Sequence, residues 1–305
     1  WGVDSTSKKT PASKTKLKNG MMKLKSLLNQ SEIVVAPGVF DGLSALIAEK
    51  AGAKVVYLSG ASFSYTRFGR PDIGLVTMSE VGETISILRD RISCPIIVDA
   101  DNGFGNALNV KRTVRVFERA GANALQFEDQ TLPKRCGHLT GKSLVTAKEM
   151  VGKIKAACDS RSSNETLIIA RTDAIEVEGF QNALNRANKY LEAGADILFI
   201  EAPQSVAQMQ TITATFGTRI PLMANMVEGG KSPSLNSEEL HRIGFSLVIF
   251  PGGLVRAIAK TCEEYFNNLL LQGDNTQFLN RMHDLTSLNE LLETSQLLEE
   301  GKHYD

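Results

Sequence analysis

Residues 96–129 read IIVDADNGFGNALNVKRTVRVFERAGANALQFED, and this stretch decides the fold. It opens with an apolar, β-branched run, Ile96–Asp101, and closes with a second run, Ala124–Glu128. Between the two, Val110–Ala120 has the apolar spacing of an amphipathic helix, and Gly121 follows it as a helix-ending residue. A strand, a helix and a strand in this order predict two parallel strands joined by a helical crossover.

The same unit recurs along the chain. We predict eight strands, at Ile33–Ala36, Lys54–Leu58, Ile96–Asp101, Ala124–Glu128, Leu167–Arg171, Ile197–Glu201, Leu222–Asn225 and Leu247–Phe250. Eight strand–helix units are the number that closes a (β/α)8 TIM barrel, so the predicted fold class is α/β with this barrel. An open, doubly wound sheet is the alternative. No Gly-x-Gly-x-x-Gly motif follows the first strand, which disfavours a dinucleotide-binding fold.

Composition limits the classes of partner. The 305 residues are 42% hydrophobic, with zero net charge and a pI of about 7.1, so nothing predicts binding to nucleic acid or to an anionic membrane. No apolar run approaches the roughly 20 residues that cross a bilayer. The four cysteines are widely spaced, without a Cys-x-x-Cys pair, and we expect a reducing, cytoplasmic environment.

The two ends of the chain differ from its centre. Residues 1–25 are rich in Lys, Ser and Thr, which predicts a flexible basic leader. We interpret residues 26–305 as a single barrel domain, because no linker divides them. A leucine-rich helical pattern over Thr276–Glu300 lies beyond the eighth unit, and we expect it to pack on a partner subunit.

Charged residues stand where successive predicted strands end. The third to seventh strands close with Asp99-Ala100-Asp101, Glu128-Asp129, Arg171-Thr172-Asp173, Glu201, and Asn225 followed by Glu228. The carboxyl ends of barrel strands form the face where barrel enzymes carry their active sites. Scattered surface charge would not choose this one end repeatedly, so the pattern indicates an enzyme.

Three of these carboxylates predict a metal site. Asp99 and Asp101 should point to the same side of their strand, and Glu128 from the next strand can join them. Hard oxygen ligands without histidine or thiolate favour Mg²⁺, or Mn²⁺, over zinc. The alternative is that these carboxylates only form ion pairs with Arg171 or Lys134.

Two features predict a bound anion. Arg171 has the planar fork that pairs with carboxylate or phosphate, and Ser59-Gly60-Ala61 offers backbone N–H groups at a strand-to-loop turn. Two anion sites around one metal imply a small substrate with several charges, such as a dicarboxylate, a tricarboxylate or a phosphonate.

The segment Thr131–Val145, which we call the gate, is long for a βα loop and has Gly137 and Gly141 as predicted hinges. It carries Lys134-Arg135-Cys136-Gly137-His138. A thiol beside fixed positive charge loses its proton more easily, and His138 would add a second cationic contact. The alternative is a basic surface loop with an incidental cysteine.

These motifs resemble one family. Lys-Arg-Cys-Gly-His after Glu-Asp-Gln, with Asp-Ala-Asp-Asn-Gly-Phe-Gly upstream and Ala-Arg-Thr-Asp downstream, is similar to the isocitrate lyase/phosphoenolpyruvate mutase superfamily. The resemblance runs from about Leu27 to Leu292. It is strongest to the branches of 2-methylisocitrate lyase, 2,3-dimethylmalate lyase and the plant petal death protein. It implies a barrel whose last helix is swapped between subunits, in a homotetramer.

The resemblance also implies roles for individual residues. Asp99 would bind Mg²⁺ directly, and the other metal-binding residues would be Asp72, Asp101 and Glu128. The pyruvate-like half of the substrate would contact Ser59, Gly60, Ala61 and Arg171. The other half would contact Arg135, Gly137, His138, Glu201 and Asn225. The catalytic residues would be Tyr57, beside the substrate hydroxyl, with Lys134 and Cys136 on the gate.

The implied reaction is cleavage of a carbon–carbon bond in a 2-alkylmalate or 2-methylisocitrate, giving pyruvate or another 2-oxo acid and a second carboxylate. Cys136 would protonate the carbanion that leaves. Hydrolysis or decarboxylation of oxaloacetate is an alternative, because Asn225-Met226-Val227-Glu228 resembles that branch, whereas Pro251 resembles the lyases. Cys136 disfavours the phosphonate mutases and hydrolases, which typically carry an asparagine there.

Overall fold

The computed structural model describes residues 23–305, so most of the predicted leader, residues 1–25, lies outside the described residues. Eight parallel strands form a closed barrel in chain order, β1 pairing with β8, which confirms the (β/α)8 prediction over the open sheet. The strands are β1 Val34–Val39, β2 Val56–Leu58, β3 Ile96–Asp99, β4 Ala124–Glu128, β5 Leu167–Thr172, β6 Ile197–Ile200, β7 Leu222–Asn225 and β8 Leu247–Phe250.

Of the described helices, one precedes β1, and the others lie between the strands or after β8. Within the described residues they are α1 Leu24–Leu28, α2 Gly42–Lys50, α3 Gly60–Phe68, α4 Met78–Arg91, α5 Ala107–Ala120, α6 Ala147–Ser160, α7 Ala174–Glu178, α8 Phe180–Glu192, α9 Val206–Phe216, α10 Ser237–Ile243, α11 Gly253–Gln272, α12 Leu285–Leu291 and α13 Thr294–Lys302, with a 3₁₀ helix at Thr276–Arg281.

Residues 96–129 contain both ends of α5, which begins at Ala107, three residues before the predicted Val110, and ends at Ala120, before Gly121, as predicted. The side chain of Asn106 accepts from the N–H groups of Leu108 and Asn109 and so caps the N-terminus of α5. Gly121 ends the same helix with a φ of 108°, a conformation that residues with a Cβ rarely adopt.

Several predicted strand ends were wrong. The first strand continues to Val39 instead of ending at Ala36, and the fifth continues by one residue to Thr172. Two other strands end earlier than predicted. The third strand stops at Asp99, not Asp101, because Asp101 has a left-handed φ of 46° and turns the chain out of the barrel wall. The sixth strand stops at Ile200, since Ala202 also has a positive φ, 57°. In both cases the polar residues lie in the turn that leaves the strand.

Two apolar clusters hold the barrel. The inner one consists of alternate strand residues, closed at the base by Leu24 and Leu27 of α1. The outer one lies between the strands and the surrounding helices. Because side chains alternate across each strand, residues two positions after an inner-cluster residue point to the barrel axis near its carboxyl end.

The chain divides into two compact units, one ending at Leu254 and one covering Val255–Asp305. The second contains most of α11 and the predicted leucine-rich tail, and Leu270, Leu271, Leu285 and Leu298 are exposed on it. The single-domain interpretation stays a prediction, as does exchange of a helix between subunits. None of the helices from residue 23 onward is long and apolar enough to cross a membrane.

Candidate active site

The alternation of strand side chains brings the predicted polar residues together at the carboxyl ends of the strands. Ile97, Ala124 and Ile169 belong to the inner cluster, and Asp99, Gln126 and Arg171 follow each of them by two positions. Glu128 follows Gln126 by two more and is buried. Asp99, Glu128 and Arg171 therefore lie together at one end of the barrel interior, whereas Asp129 faces Tyr190 and Arg186 of α8.

Lys134 of the gate lies between two carboxylates. Its Nζ is 2.5 Å from Asp72 Oδ1 and 2.7 Å from Asp101 Oδ1, and all three side chains are buried. Burial alone would disfavour the ammonium, yet the charges of Asp101 and Asp72 raise the pKa of Lys134 well above its usual value. Lys134 is therefore a fixed cation, and the predicted alternative of an ion pair is present.

Asp99 and Asp101 remain close although they are not on one strand. The backbone N–H of Asp101 donates to Asp99 Oδ1 at 3.2 Å. A Cβ placed on Gly60 would lie 3.2 Å from Asp99 Oδ2 and 3.5 Å from Asp101 Oδ1, so both carboxylates face Gly60. The positive φ of Asp101, not the strand period, brings the two together, which corrects the prediction.

The carboxylates fit a cation. Neither oxygen of buried Glu128 accepts a hydrogen bond from any group that the structure describes, and its ion pair to Arg171 Nη1 is long, 3.3 Å. Burial raises the pKa of Glu128 well above its usual value, and burial with nearby carboxylates raises the pKa of Asp101 to about 6 despite Lys134. Such carboxyls take up a proton or a cation.

The geometry does not show a ready-made metal cage. Within residues 23–305, no three His, Cys, Asp or Glu side chains are arranged to hold an ion. Lys134 supplies positive charge to two of the four predicted metal-binding residues in this arrangement.

The predicted anion site lies at a helix N-terminus, which corrects the strand-to-loop interpretation. Ser59 caps α3, and its side chain accepts from the N–H of Ser62. Gly60 and Ala61 are the first two residues of this nine-residue helix, where N–H groups lack partners within the helix. A helix N-terminus favours a bound carboxylate.

Arg171 is held in place from behind. Asp173 accepts from Arg171 Nε at 2.9 Å and from Nη2 at 3.1 Å, and the guanidinium lies over the Phe199 ring. Asp173 is itself fixed by its N–H, which donates to Asp129 Oδ1 at 2.9 Å. The fork of Arg171 therefore has a defined orientation before any substrate binds.

The gate reaches the far side of the site through Gly137 and His138. A Cβ on Gly137 would lie 2.4 Å from Arg171 Nη2 and 2.7 Å from Glu201 Cγ, so only glycine allows this approach. His138 Nε2 is 2.8 Å from Glu201 Oε1, and His138 Nδ1 accepts from the N–H of Lys231 at 3.0 Å. This contact leaves the ring proton on Nε2, where it can be donated to Glu201.

Glu201, the partner of His138, is also hydrogen-bonded to Asn225. Asn225 Nδ2 donates to both oxygens of Glu201 at 3.2 Å, while the amide oxygen of Asn225 has no donor among the described groups. Burial opposes ionisation of Glu201, but Arg171 and His138 lower its pKa. The amide oxygen of Asn225 can therefore accept a hydrogen bond from a ligand that binds beside the ionised Glu201.

One predicted site residue is placed elsewhere. Arg135 is exposed, and its Nη1 donates to the carbonyl of Thr140 within the gate at 2.9 Å. It is not part of the cluster around Arg171, so in this conformation it does not make the predicted substrate contact.

The prediction that nearby positive charge lowers the pKa of the Cys136 thiol was wrong. Burial raises the pKa of its thiol, since the charge of Lys134 is taken up by Asp72 and Asp101 and that of Arg135 points to solvent. A thiol with a raised pKa keeps its proton at neutral pH. The raised pKa suits a proton donor better than a nucleophile.

Tyr57 lies inside the barrel and its hydroxyl donates to Gln126 Oε1 at 3.0 Å. Gln126 Nε2 in turn lies 3.4 Å from Asp99 Oδ1. Burial and the charge of Asp99 raise the pKa of Tyr57 well above its usual value. Gln126 was not among the predicted site residues, because it stands within an otherwise apolar strand run, although a polar residue at an inward position is itself a signal.

A closed (β/α)8 barrel with carboxylates, a guanidinium and a covering loop at the carboxyl ends of its strands defines an enzyme that acts on a small anion. Residues 24–270 match the family model described as phosphoenolpyruvate phosphomutase, and the chain belongs to this family. The resemblance drawn from the motifs is thereby confirmed.

Similar curated proteins include lyases, which confirms the predicted enzyme class, a lyase. A 2-methylisocitrate lyase of Aeropyrum pernix is 43% identical over 269 residues, 88% of this chain and 86% of that protein. A 2,3-dimethylmalate lyase of Eubacterium barkeri is 39% identical over 288 residues, 94% of this chain and 98% of that protein.

Solved structures share the fold over almost the whole chain. An oxaloacetate acetylhydrolase bound to 3,3-difluorooxalacetate has a TM-score of 0.85 and 31% identity, covering 92% of this chain and 96% of its own. A phosphonopyruvate hydrolase bound to oxalate and Mg²⁺ has a TM-score of 0.81 and 28% identity, covering 91% and 96%.

Proposed function

We propose that this protein is a Mg²⁺-dependent lyase that cleaves a 2-alkylmalate or a 2-methylisocitrate to a 2-oxo acid, such as pyruvate, and a second carboxylate. The observation that carries the proposal is the half-buried Cys136 on a gate whose next residue, Gly137, packs directly against Arg171 and Glu201; the pKa of the Cys136 thiol is raised, which suits a proton donor. The lyase relatives support the same reaction class.

Asp99, Asp101, Glu128 and Asp72 are the residues that would hold the metal ion, with Mn²⁺ as a possible substitute. The unsatisfied oxygens of Glu128 and the raised pKa values of Glu128 and Asp101 support this assignment. The bound ion would supply Lewis-acid polarisation of the carbonyl oxygen that forms in the 2-oxo acid.

The protein's own groups would orient the substrate. The N-terminus of α3, at Gly60 and Ala61, and the fork of Arg171 would bind the carboxylate of the pyruvate half. The Tyr57 hydroxyl donates a hydrogen bond to Gln126. The hydroxyl oxygen of Tyr57 can therefore accept a hydrogen bond from the substrate hydroxyl. His138, Glu201 and Asn225 would contact the other half.

The gate would complete the chemistry. One of the buried carboxylates of the site would accept the hydroxyl proton as the carbon–carbon bond breaks, and the electron pair would stay on the leaving half as a carboxylate-stabilised carbanion. Lys134 adds fixed positive charge nearby. Cys136 then transfers its thiol proton to that carbon, and closure of the gate excludes water, which would otherwise compete as the proton donor.

A substrate panel tests the proposal. Purified protein with MgCl₂ should release pyruvate from 2-methylisocitrate, 2,3-dimethylmalate or another 2-alkylmalate, detected through lactate dehydrogenase and NADH. Treatment with EDTA should abolish the signal and added Mg²⁺ should restore it. No 2-oxo acid from any member of the panel would refute the proposal.

Oxaloacetate is a second candidate substrate, because the structure shares its fold at 31% identity with an oxaloacetate acetylhydrolase. Incubation with oxaloacetate distinguishes the outcomes. Oxalate with acetate indicates hydrolysis, whereas pyruvate with CO₂ indicates decarboxylation. A phosphonate substrate is the least favoured, since Cys136 stands where the phosphonate enzymes typically carry an asparagine.

We also propose a homotetramer in which α11 of one subunit packs on another. An apolar groove runs beside β1 and α2, where Val35 and Ile47 are 40% and 44% exposed. Separately, α11 carries exposed Ile258 and Phe266. Apolar surfaces of this kind mark contacts between subunits.

A cytoplasmic location fits the four cysteines, all of which are unpaired.

A further inference from the structure

Lys142 is a buried cation that the proposed chemistry does not use. It lies in the second half of the gate, directly after Gly141, and its side chain is 1% exposed. A buried ammonium is costly unless several groups compensate it, so its partners indicate what holds it there.

The partners of Lys142 come from the gate and from the barrel. Its Nζ donates to the carbonyl of Gly137, lies 3.2 Å from Asp173 Oδ1, and lies 3.1 Å from Glu176 Oε2 at the start of α7. Gly137 is at the tip of the gate, whereas Asp173 and Glu176 follow β5. The ammonium therefore connects the gate to the residues that follow β5.

Asp173, the partner of Lys142 after β5, is held in place by several hydrogen bonds. Asp173 is bound to Arg171 through two hydrogen bonds and to Asp129 through its N–H. Asp129 accepts further hydrogen bonds from Tyr190 Oη at 2.7 Å and from Thr172 Oγ1 at 2.8 Å. Burial opposes the charge of Asp173, but Arg171 and Lys142 lower its pKa, so it stays ionised.

We propose that Lys142 is a positioning residue that holds the gate closed and thereby fixes Cys136, the neighbour of Gly137, over the site. This inference rests on the proposed function only for the purpose of closure, because the contacts themselves do not depend on any substrate. Loss of the ammonium would free the carbonyl of Gly137, and the gate would open more often.

Alkylation of Cys136 by iodoacetamide, followed by mass spectrometry of its peptide, measures opening without any substrate. In Lys142→Met the rate should rise about tenfold or more, since a hydrogen bond to a charged group shifts an equilibrium by about that factor. The loss of a nearby cation by itself lowers the thiolate fraction and slows alkylation, so a faster rate reports greater exposure of the thiol when the gate opens.

Two further variants sharpen the test. Glu176→Gln removes one partner of Lys142 and leaves Asp173, so a smaller rise of about threefold is expected. Lys148→Met replaces an exposed lysine on α6 and should leave the rate unchanged. The buried Cys94, whose pKa is raised to about 12 by burial, reports unfolding of the barrel in the same sample.

The outcomes separate the possibilities. Faster alkylation of Cys136 with unchanged Cys94 supports the proposal. Equal Cys136 rates in wild type, Lys142→Met and Glu176→Gln would overturn it, as would a parallel rise at Cys94, which indicates general loosening. Failure of the pyruvate assay would refute the lyase function while leaving the alkylation result intact.

Discussion

Replacing Gly137 by alanine should prevent the gate from closing while the barrel remains intact. Gly137 does not have a left-handed φ, so alanine is compatible with its backbone. The added Cβ would instead meet Arg171 Nη2 at 2.4 Å and Glu201 Cγ at 2.7 Å. Arg171 cannot move away cheaply, because Asp173 and Phe199 hold its guanidinium.

The size of the effect follows from this overlap. A separation of 2.4 Å is about 1 Å shorter than a normal non-bonded contact of roughly 3.5 Å. Overpacking of this kind costs about 1–3 kcal/mol, which corresponds to roughly five- to 150-fold in the closed population. A displacement of about 1 Å at a reacting group also lowers rates by up to about a hundredfold.

The assay is the release of pyruvate from the best 2-alkylmalate of the panel. For Gly137→Ala, kcat/KM should fall by about ten- to a hundredfold, because closure and the position of Cys136 both suffer. Gly152→Ala on α6 is the matched control, since its Cβ would meet no atom within 4 Å. Activity of Gly137→Ala within twofold of wild type, at equal thermal stability, would refute the steric argument.

Three further outcomes are expected. Cys136→Ser should lower kcat by about a hundredfold or more, since a serine hydroxyl is a far weaker acid, while calorimetric Mg²⁺ binding stays unchanged; full activity would exclude the acid role. Affinity for Mg²⁺, measured by calorimetry at pH 5.5 and 7.5, should weaken at the lower pH, because the pKa of Asp101 is raised to about 6 and below it a proton occupies the carboxylate. Equal affinities would argue against Asp101 as a ligand. Ile258→Asp should lower the mass seen by light scattering, since an exposed apolar residue of α11 becomes charged; an unchanged mass would argue against α11 at the interface.

The barrel was predictable because its signals are local. Strand runs, helical periods and helix-ending glycines such as Gly121 lie within a few residues of the structure that they determine. The end of the third strand was mispredicted because the apolar strand run was extended to Asp101, although aspartate before Asn-Gly is among the residues that adopt a left-handed conformation more often.

The members of the site were predictable, but their pairing was not. Strand-end charges identify Arg171 and Glu128 from the topology alone. The roles of Gln126 and Lys142 depend on contacts with residues far along the chain, Tyr57 at 3.0 Å and Asp173 at 3.2 Å. A polar residue in an apolar strand run and a lysine in a basic loop have no local feature that specifies such partners.

The sequence also could not decide whether the carboxylates at the centre of the site bind a metal ion or form ion pairs. Asp72 and Asp101 pair with Lys134, while Glu128, a few residues before it in sequence, keeps two oxygens without hydrogen-bond donors among the described groups. The ion-pair interpretation therefore describes Asp72 and Asp101, whereas Glu128 is the carboxylate that remains for the proposed metal ion. Residue type predicts that these buried carboxylates need positive charge. The position of the gate decides that Lys134 supplies part of it, and the remaining capacity at Glu128 is what a metal ion would use.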